Sequence, residues 1–197
     1  HQTMCRTGVG MLLHMIKHSR PEITNAVRKL SKVLSAPNEY AWKEMHRAIK
    51  FVLDTRGHGP LIRPVHDSSN KSLWTMEVYT DSDWAGDKDT RKSVSGYMIF
   101  LCEVLVYWKS KRQNCVALSS SEAEHYALSE AVKEVPHLLQ LLDFMNVKVK
   151  LPVPIRVDNM GAVYMSKDGT ASGRTRHVDT RMRFIQDLQS KGVIAHR

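Results

Sequence analysis

Trp74, Met76 and Val78 alternate with Thr75, Glu77 and Tyr79, which marks a strand, and that strand runs into Asp81-Ser82-Asp83-Trp84-Ala85-Gly86. Strands are depleted in Asp, so an apolar strand that ends in two carboxylates restricts what can be built around it. One explanation is a turn, because Asp and Gly supply turn chemistry and Asp87 and Asp89 follow closely. The other is a rigid strand end that presents a carboxylate to a divalent metal ion.

Upstream of this strand the period is helical. Val9 to Lys17 is mostly apolar and is stopped by Ser19-Arg20-Pro21. Ile23, Val27, Leu30 and Leu34 follow at helical spacing, with Arg28, Lys29 and Lys32 on other faces. Ser35-Ala36-Pro37-Asn38 breaks that helix, and Asn38 is placed to cap a third, whose buried stripe is Trp42, Met45, Ile49 and Val52 or Leu53. Residues 1–60 are therefore predicted to form a small helical segment. His14, His18 and His46 fall within it, at spacings that match no zinc pattern. Gly57-His58-Gly59-Pro60 and Asp67-Ser68-Ser69-Asn70 punctuate the stretch before the strand, so residues 61–72 read as a linker and 73–197 as a second domain.

Downstream, Ser95 to Leu101 and Val104 to Trp108 read as a hairpin turning at Cys102-Glu103, although that turn lacks Gly or Asn. Lys109-Ser110-Lys111-Arg112 reads as a basic loop, either solvated or in contact with phosphate. Ser119-Ser120-Ser121-Glu122-Ala123-Glu124 opens a long helix with Ala123, Ala127, Ala131 and Leu138 along one side, and Pro136 is predicted to kink or divide it. Ser119 with Glu122, and Ser121 with Glu124, both fit a capping box, which accounts for either glutamate without chemistry. Pro154 to Val157 is a short strand ending in Asp158 at the start of another helix, where a cap is the default reading. A basic loop from Gly169 to Arg176 leads to a last helix from about His177 to Ser190, with Asp179 and Arg183 spaced as a surface ion pair. Gly192-Val193-Ile194 begins a further strand.

Three acids thus stand at the first strand's end, the long helix's start and the fourth strand's end. In a sheet that sets strands one and four side by side under the helix, those ends converge. Converging carboxylates repel and raise one another's pKa unless a cation neutralises them. Oxygen-only ligation selects Mg²⁺ or Mn²⁺ over zinc. The formal net charge of +9 and pI near 9.6 favour a polyanionic partner such as nucleic acid. No apolar run reaches the roughly 20 residues of a membrane span. Cys5, Cys102 and Cys115 are too few and too scattered for a disulfide framework, which fits a reduced, intracellular setting. Opening at His1 without an initiator Met, the chain reads as a piece of something longer.

Tyr79-Thr80-Asp81-Ser82-Asp83-Trp84-Ala85-Gly86, Ser93-Val94-Ser95-Gly96-Tyr97, Ala117-Leu118-Ser119-Ser120-Ser121-Glu122-Ala123-Glu124, Val157-Asp158-Asn159 and Arg174-Thr175-Arg176-His177-Val178-Asp179 resemble, in this order, the ribonuclease H domain of copia-type retrotransposon polyproteins. Thr7-Gly8-Val9-Gly10, Ser19-Arg20-Pro21-Glu22-Ile23 and Ile49-Lys50-Phe51-Val52-Leu53 resemble the end of the reverse transcriptase, its thumb and connection. The resemblance implies an α/β fold, a ribonuclease H-like mixed sheet with flanking helices. It also implies two-metal hydrolysis of the RNA strand of RNA–DNA hybrids, with Asp81, Glu124 and Asp158 as catalytic and metal-binding residues. Asp81 would bridge two Mg²⁺ (or Mn²⁺) ions, while Glu124 and Asp158 would each hold one. Glu124 is preferred to Glu122 because His125-Tyr126-Ala127 follows it. Asp83 is the near rival of Asp81, set aside as lying on the other face of the strand. Lys109, Lys111, Arg112, Arg174, Arg176 and His177 are the expected nucleic-acid contacts, with the remainder of the polyprotein as a further partner. The setting would be a cytoplasmic virus-like particle or the nucleus. In the family a fourth acid follows the fifth strand, usually after an Ala-Asp pair; the sequence stops at Arg197, so weakened activity is expected, and Asp179 is considered as a stand-in but set aside, because His177-Val178-Asp179 resembles the helix before the fifth strand, away from the metal site. From a different class stands a non-catalytic nucleic-acid-binding or structural remnant, because fold alone does not license activity.

Overall fold

The computed structural model describes residues 2–66, 72–87, 89–158 and 176–196, and the side chains of 176–179 lie outside the description. The chain divides into two compact units, His1–Leu61 and Ile62–Arg197.

The first unit is helical. Helices α1 (Gln2–His18), α2 (Thr24–Ser31) and α3 (Glu39–Asp54) bury Cys5, Val9, Leu12, Val27, Leu30, Met45 and Val52 against one another. Gly8 lets α1 approach α3 closely: a Cβ there would stand 2.5 Å from Met45 Sδ. Asn38 caps α3 as expected, its Oδ1 accepting from the Ala41 amide at 2.8 Å. Of the two alternatives for the end of the stripe, Val52 is buried and Leu53 is exposed. Arg20, part of the predicted helix stop, is 3% exposed. Its guanidinium donates to Val52 O at 3.3 Å, Thr55 O at 3.4 Å and Thr55 Oγ1 at 2.5 Å, and pairs with Glu22. It therefore satisfies carbonyls at the C-terminal end of α3, where the helix dipole favours a cation.

The second unit is built on a five-stranded mixed sheet. Strands β1 (Met76–Asp83), β2 (Val94–Leu101) and β3 (Val104–Arg112) form an antiparallel meander. Helix α4 (Ser120–Phe144) leads to β4 (Val153–Val157), and helix α5 (Arg176–Ser190) leads to β5 (Ile194–His196). β4 pairs parallel with β1 and β5 parallel with β4, giving the order β3-β2-β1-β4-β5. This is the ribonuclease H-like arrangement that the resemblance implied. Period-two alternation places Met76, Val78 and Ile99 in one core with Leu128, Val132 and Val135 of α4, Ile155 of β4 and Ile185 of α5.

Two local expectations are corrected, and the hairpin at Cys102-Glu103 forms where it was expected. α4 is not divided at Pro136 but runs on to Phe144, because Val132, Val135 and Leu142 are buried on the sheet across the proline. That packing outweighs one missing backbone hydrogen bond. Lys109-Ser110-Lys111-Arg112 is not a loop: these residues continue β3 opposite Tyr97, Gly96, Ser95 and Val94. A charged edge strand resists pairing with other chains, which suits a lysine-rich segment of low β-propensity. The Cys102-Glu103 hairpin forms without turn-forming residues, both taking positive φ (48° and 67°). The flanking pair Leu101↔Val104 and the bond from the Cys102 amide to Thr75 O (2.8 Å) impose that conformation. Within the segment read as a linker, the Val65 amide donates to Cys102 O at 2.9 Å, and His66 meets the Trp74 ring edge-on.

Candidate metal centre

The register of β1 with β4 places two of the acids. The strands are parallel and their last pair is Thr80↔Val157, so Asp81 and Asp158 follow at the same edge of the sheet. Helix α4 brings the third. Ala123, Ala127 and Ala131 are fully buried, and these small side chains let the helix lie close on the sheet. Glu124, just past its first turn, is thereby set beside the end of β1. Oxygen atoms of Asp81, Glu124 and Asp158 all lie within 4.8 Å of one another. Among the described residues no other cluster of His, Cys, Asp and Glu meets this criterion, and the histidines at 14, 18 and 46 are outside it.

The two glutamates of α4 separate cleanly. Glu122 caps: its backbone amide donates to Ser119 Oγ at 3.1 Å, and its Oε2 accepts from the Leu118 amide at 2.7 Å. Glu124 does not cap, so the second capping box read from the sequence is absent. Its Oε1 accepts from Ser82 twice, from the amide at 3.0 Å and from Oγ at 2.8 Å. Its Oε2 is buried and has no hydrogen-bond partner among the described residues. Burial raises the Glu124 carboxyl above the ordinary carboxylate value, the Ser82 bonds pull it back, and Asp158 and then Asp81 raise it further.

The residues fit a cation of the hard class. All three donors are carboxylate oxygens, two of them exposed and reachable, and one buried oxygen lacks a partner. The positive end of the α4 dipole lies nearby but supplies only a fraction of a charge.

The expectation that Asp83 lies across the strand from Asp81 is wrong, because residues two apart share a side. What sets it apart is the turn: its carboxylate lies against Gly86, where a Cβ would overlap it. The same turn is pinned by Trp84 Nε1 donating to Ala117 O (3.2 Å) and the Ala85 amide donating to Ser93 Oγ (3.0 Å). Asp179 sits in α5, but its side chain, and with it the expected pair with Arg183, lies outside the described residues.

Of the expected nucleic-acid contacts, Lys109 lies 3.4 Å from Glu134 and Arg112 lies 3.2 Å from Asp87. Lys111 lines a cavity with Gln113, Tyr126 and Arg181. Arg181 escaped the sequence reading. Its guanidinium lies 4.4 Å over the Tyr126 ring and donates to Ser129 Oγ at 3.0 Å, and no sequence pattern announces such a stack. Arg176 and His177 open α5, with side chains outside the description, and Arg174 lies outside the described residues. His125, beside Glu124 in sequence, is fully buried and is pushed down to about 4, first by desolvation and then by Arg181 and His196, so it is a neutral core residue.

No protein-family model matches the chain. It is 29% identical over 187 residues to the retrovirus-related Pol polyprotein from transposon RE1 of Arabidopsis thaliana, covering 95% of this chain and 12% of that protein. It is 32% identical over 182 residues to the corresponding polyprotein from transposon TNT 1-94 of Nicotiana tabacum, covering 92% of this chain and 13% of that protein. It is 35% identical over 128 residues to the secreted RxLR effector protein 161 of Plasmopara viticola, covering 65% of this chain and 86% of that protein. The chain thus spans about an eighth of the length of the polyproteins it matches. Among solved structures it is similar to LC11-RNase H1, isolated from compost, at 14% identity and a TM-score of 0.45, over 62% of this chain and 82% of that one. On its sequence relationships the chain belongs to the family of copia-type retrotransposon Pol polyproteins, and on its sheet topology its second unit is a ribonuclease H-like domain.

Proposed function

We propose that the second unit hydrolyses the RNA strand of RNA–DNA hybrids in a divalent-metal-dependent reaction, as the ribonuclease H of a retrotransposon Pol polyprotein. The observation that carries this reading is the meeting of Asp81, Glu124 and Asp158 around a buried carboxylate oxygen without a partner. These three residues would hold Mg²⁺ or Mn²⁺. When bound, such ions lower the pKa of an attacking water and stabilise the leaving oxygen of a phosphodiester.

The chain's own residues do the rest. Asp81 and Asp158, exposed at the sheet edge, stay open to a phosphodiester arriving from solvent, while Glu124 anchors the site from beneath. Lys109, Lys111 and Arg112 lie along β3, two strands from Asp81, and give the domain a basic margin for a nucleic-acid backbone. The protein's formal charge of +9 supports the same partner.

The test is cleavage of a labelled RNA–DNA hybrid in Mg²⁺ and in Mn²⁺, with Asp81→Asn as the control. The expected result is metal-dependent cutting of the RNA strand that falls at least about 100-fold in the variant, the scale of losing a principal electrostatic element of a site. Hybrid binding that weakens with salt, without cutting in either metal, would replace this reading with a non-catalytic binding module.

A further inference from the structure

We infer that Ser82 is the positioning residue of the carboxylate site: it holds Glu124 oriented so that one oxygen is kept free for a metal ion. This rests on the metal-dependent reading above.

Ser82 is bracketed by Asp81 and Asp83, and strand alternation places its side chain on the opposite side of β1 from both. That is the side on which α4 packs. β1 outruns its pairing with β4, which ends at Thr80↔Val157, and the Ser82 amide beyond it donates to a side chain. Both donors of Ser82, amide and hydroxyl, converge on the same oxygen, Glu124 Oε1, at 3.0 and 2.8 Å. A carboxylate held at one oxygen by two donors cannot rotate freely about its terminal bond. Oε2 is thereby fixed in place, buried and without a hydrogen-bond partner among the described residues.

The arrangement also joins two elements of the site. Because the amide belongs to the residue after Asp81, the same bonds tie the helix-borne acid to the strand-borne one. Partners that orient a metal's ligands typically alter affinity about 10- to 100-fold when removed.

The full chain is compared as Ser82→Thr and Ser82→Val, which match in shape and differ by the hydroxyl. Mn²⁺ binding is read by isothermal titration calorimetry and by the loss of free Mn²⁺ signal in electron paramagnetic resonance, and folding is checked by thermal melting. Ser82→Thr is expected to bind Mn²⁺ within about threefold of the unaltered chain, and Ser82→Val at least about tenfold more weakly. Equal Mn²⁺ affinity in the two variants overturns the inference and leaves the metal reading intact. Absence of Mn²⁺ binding by the unaltered chain overturns both. A comparable fall in melting temperature for Ser82→Val with no change in Mn²⁺ affinity would make Ser82 a structural tether only, and that too overturns the inference.

Discussion

Two buried charges, one in each unit, are handled in opposite ways. Arg20 is 3% exposed and Glu124 is 5% exposed. Around Arg20 every guanidinium nitrogen has a partner: two carbonyls, a hydroxyl and the Glu22 carboxylate accept from it. Around Glu124 the surroundings are half complete, with Oε1 doubly bonded and Oε2 left open beside two further acids. A buried charge with a partner at every nitrogen is a fastening. A buried charge with one valence withheld, among charges of its own sign, is unstable alone and complete only with something else present. Burial by itself therefore does not distinguish structure from site; the state of the hydrogen bonds does.

The largest effect that tests this contrast is expected at Arg20. Arg20→Met keeps length and bulk but strands the carbonyls of Val52 and Thr55, and should cost about 3 kcal/mol, the lower end for breaking a buried charge network. Native-state hydrogen exchange of α1 and α3 amides checks it; protection unchanged from the unaltered chain would dissolve the contrast. Glu124→Gln should act with the opposite sign. In the metal-free chain it removes a desolvated charge and its repulsion from Asp158 and Asp81, and should raise the stability of the second unit by about 1 kcal/mol, in the range common for relieved active-site strain. Calorimetric melting without metal is the measurement, and a destabilised variant would show that Glu124 is a fastening too. The smallest effect is one of pH. Because burial and then the neighbouring acids raise the Glu124 carboxyl, the folded unit binds its proton more tightly than the unfolded chain. That contribution to stability is present below the ordinary value of 4.5 and is lost as pH rises through the raised folded value. The melting difference between the unaltered chain and Glu124→Gln, followed upward from about pH 4, should widen in that window and close when Mg²⁺ is added.

Much of the site was legible because each acid ends or opens an element. A strand that alternates and then meets Asp is visible at Asp81 and at Asp158, and a capped helix start is visible at Ser119. What pattern alone left undecided was Glu122 against Glu124, since both satisfy the same local rule; only the path of α4 over β1 assigns one to the cap and the other to the cluster. The length of β3 was hidden because Lys109 to Arg112 carry no strand propensity and owe their conformation to pairing with β2. The continuity of α4 was hidden because Pro136 argues locally for a break and the buried valines argue against it only in three dimensions. The roles of Arg20, Ser82 and Arg181 were not legible in the sequence, for they lie in partners far along the chain.

The parallel pairing of β4 with β1 has a consequence in time. Asp81 and Glu124 lie on β1 and α4, within a run of elements that follow one another without a long excursion, and Ser82 joins them. Asp158 enters only when a strand beyond α4 has been made and threaded alongside β1, closing a loop around the whole helix. On a ribosome that synthesises from the N-terminus, the first two acids are in hand while the third is still to come. The three-acid cluster therefore cannot assemble before the fourth strand has been made and laid beside the first.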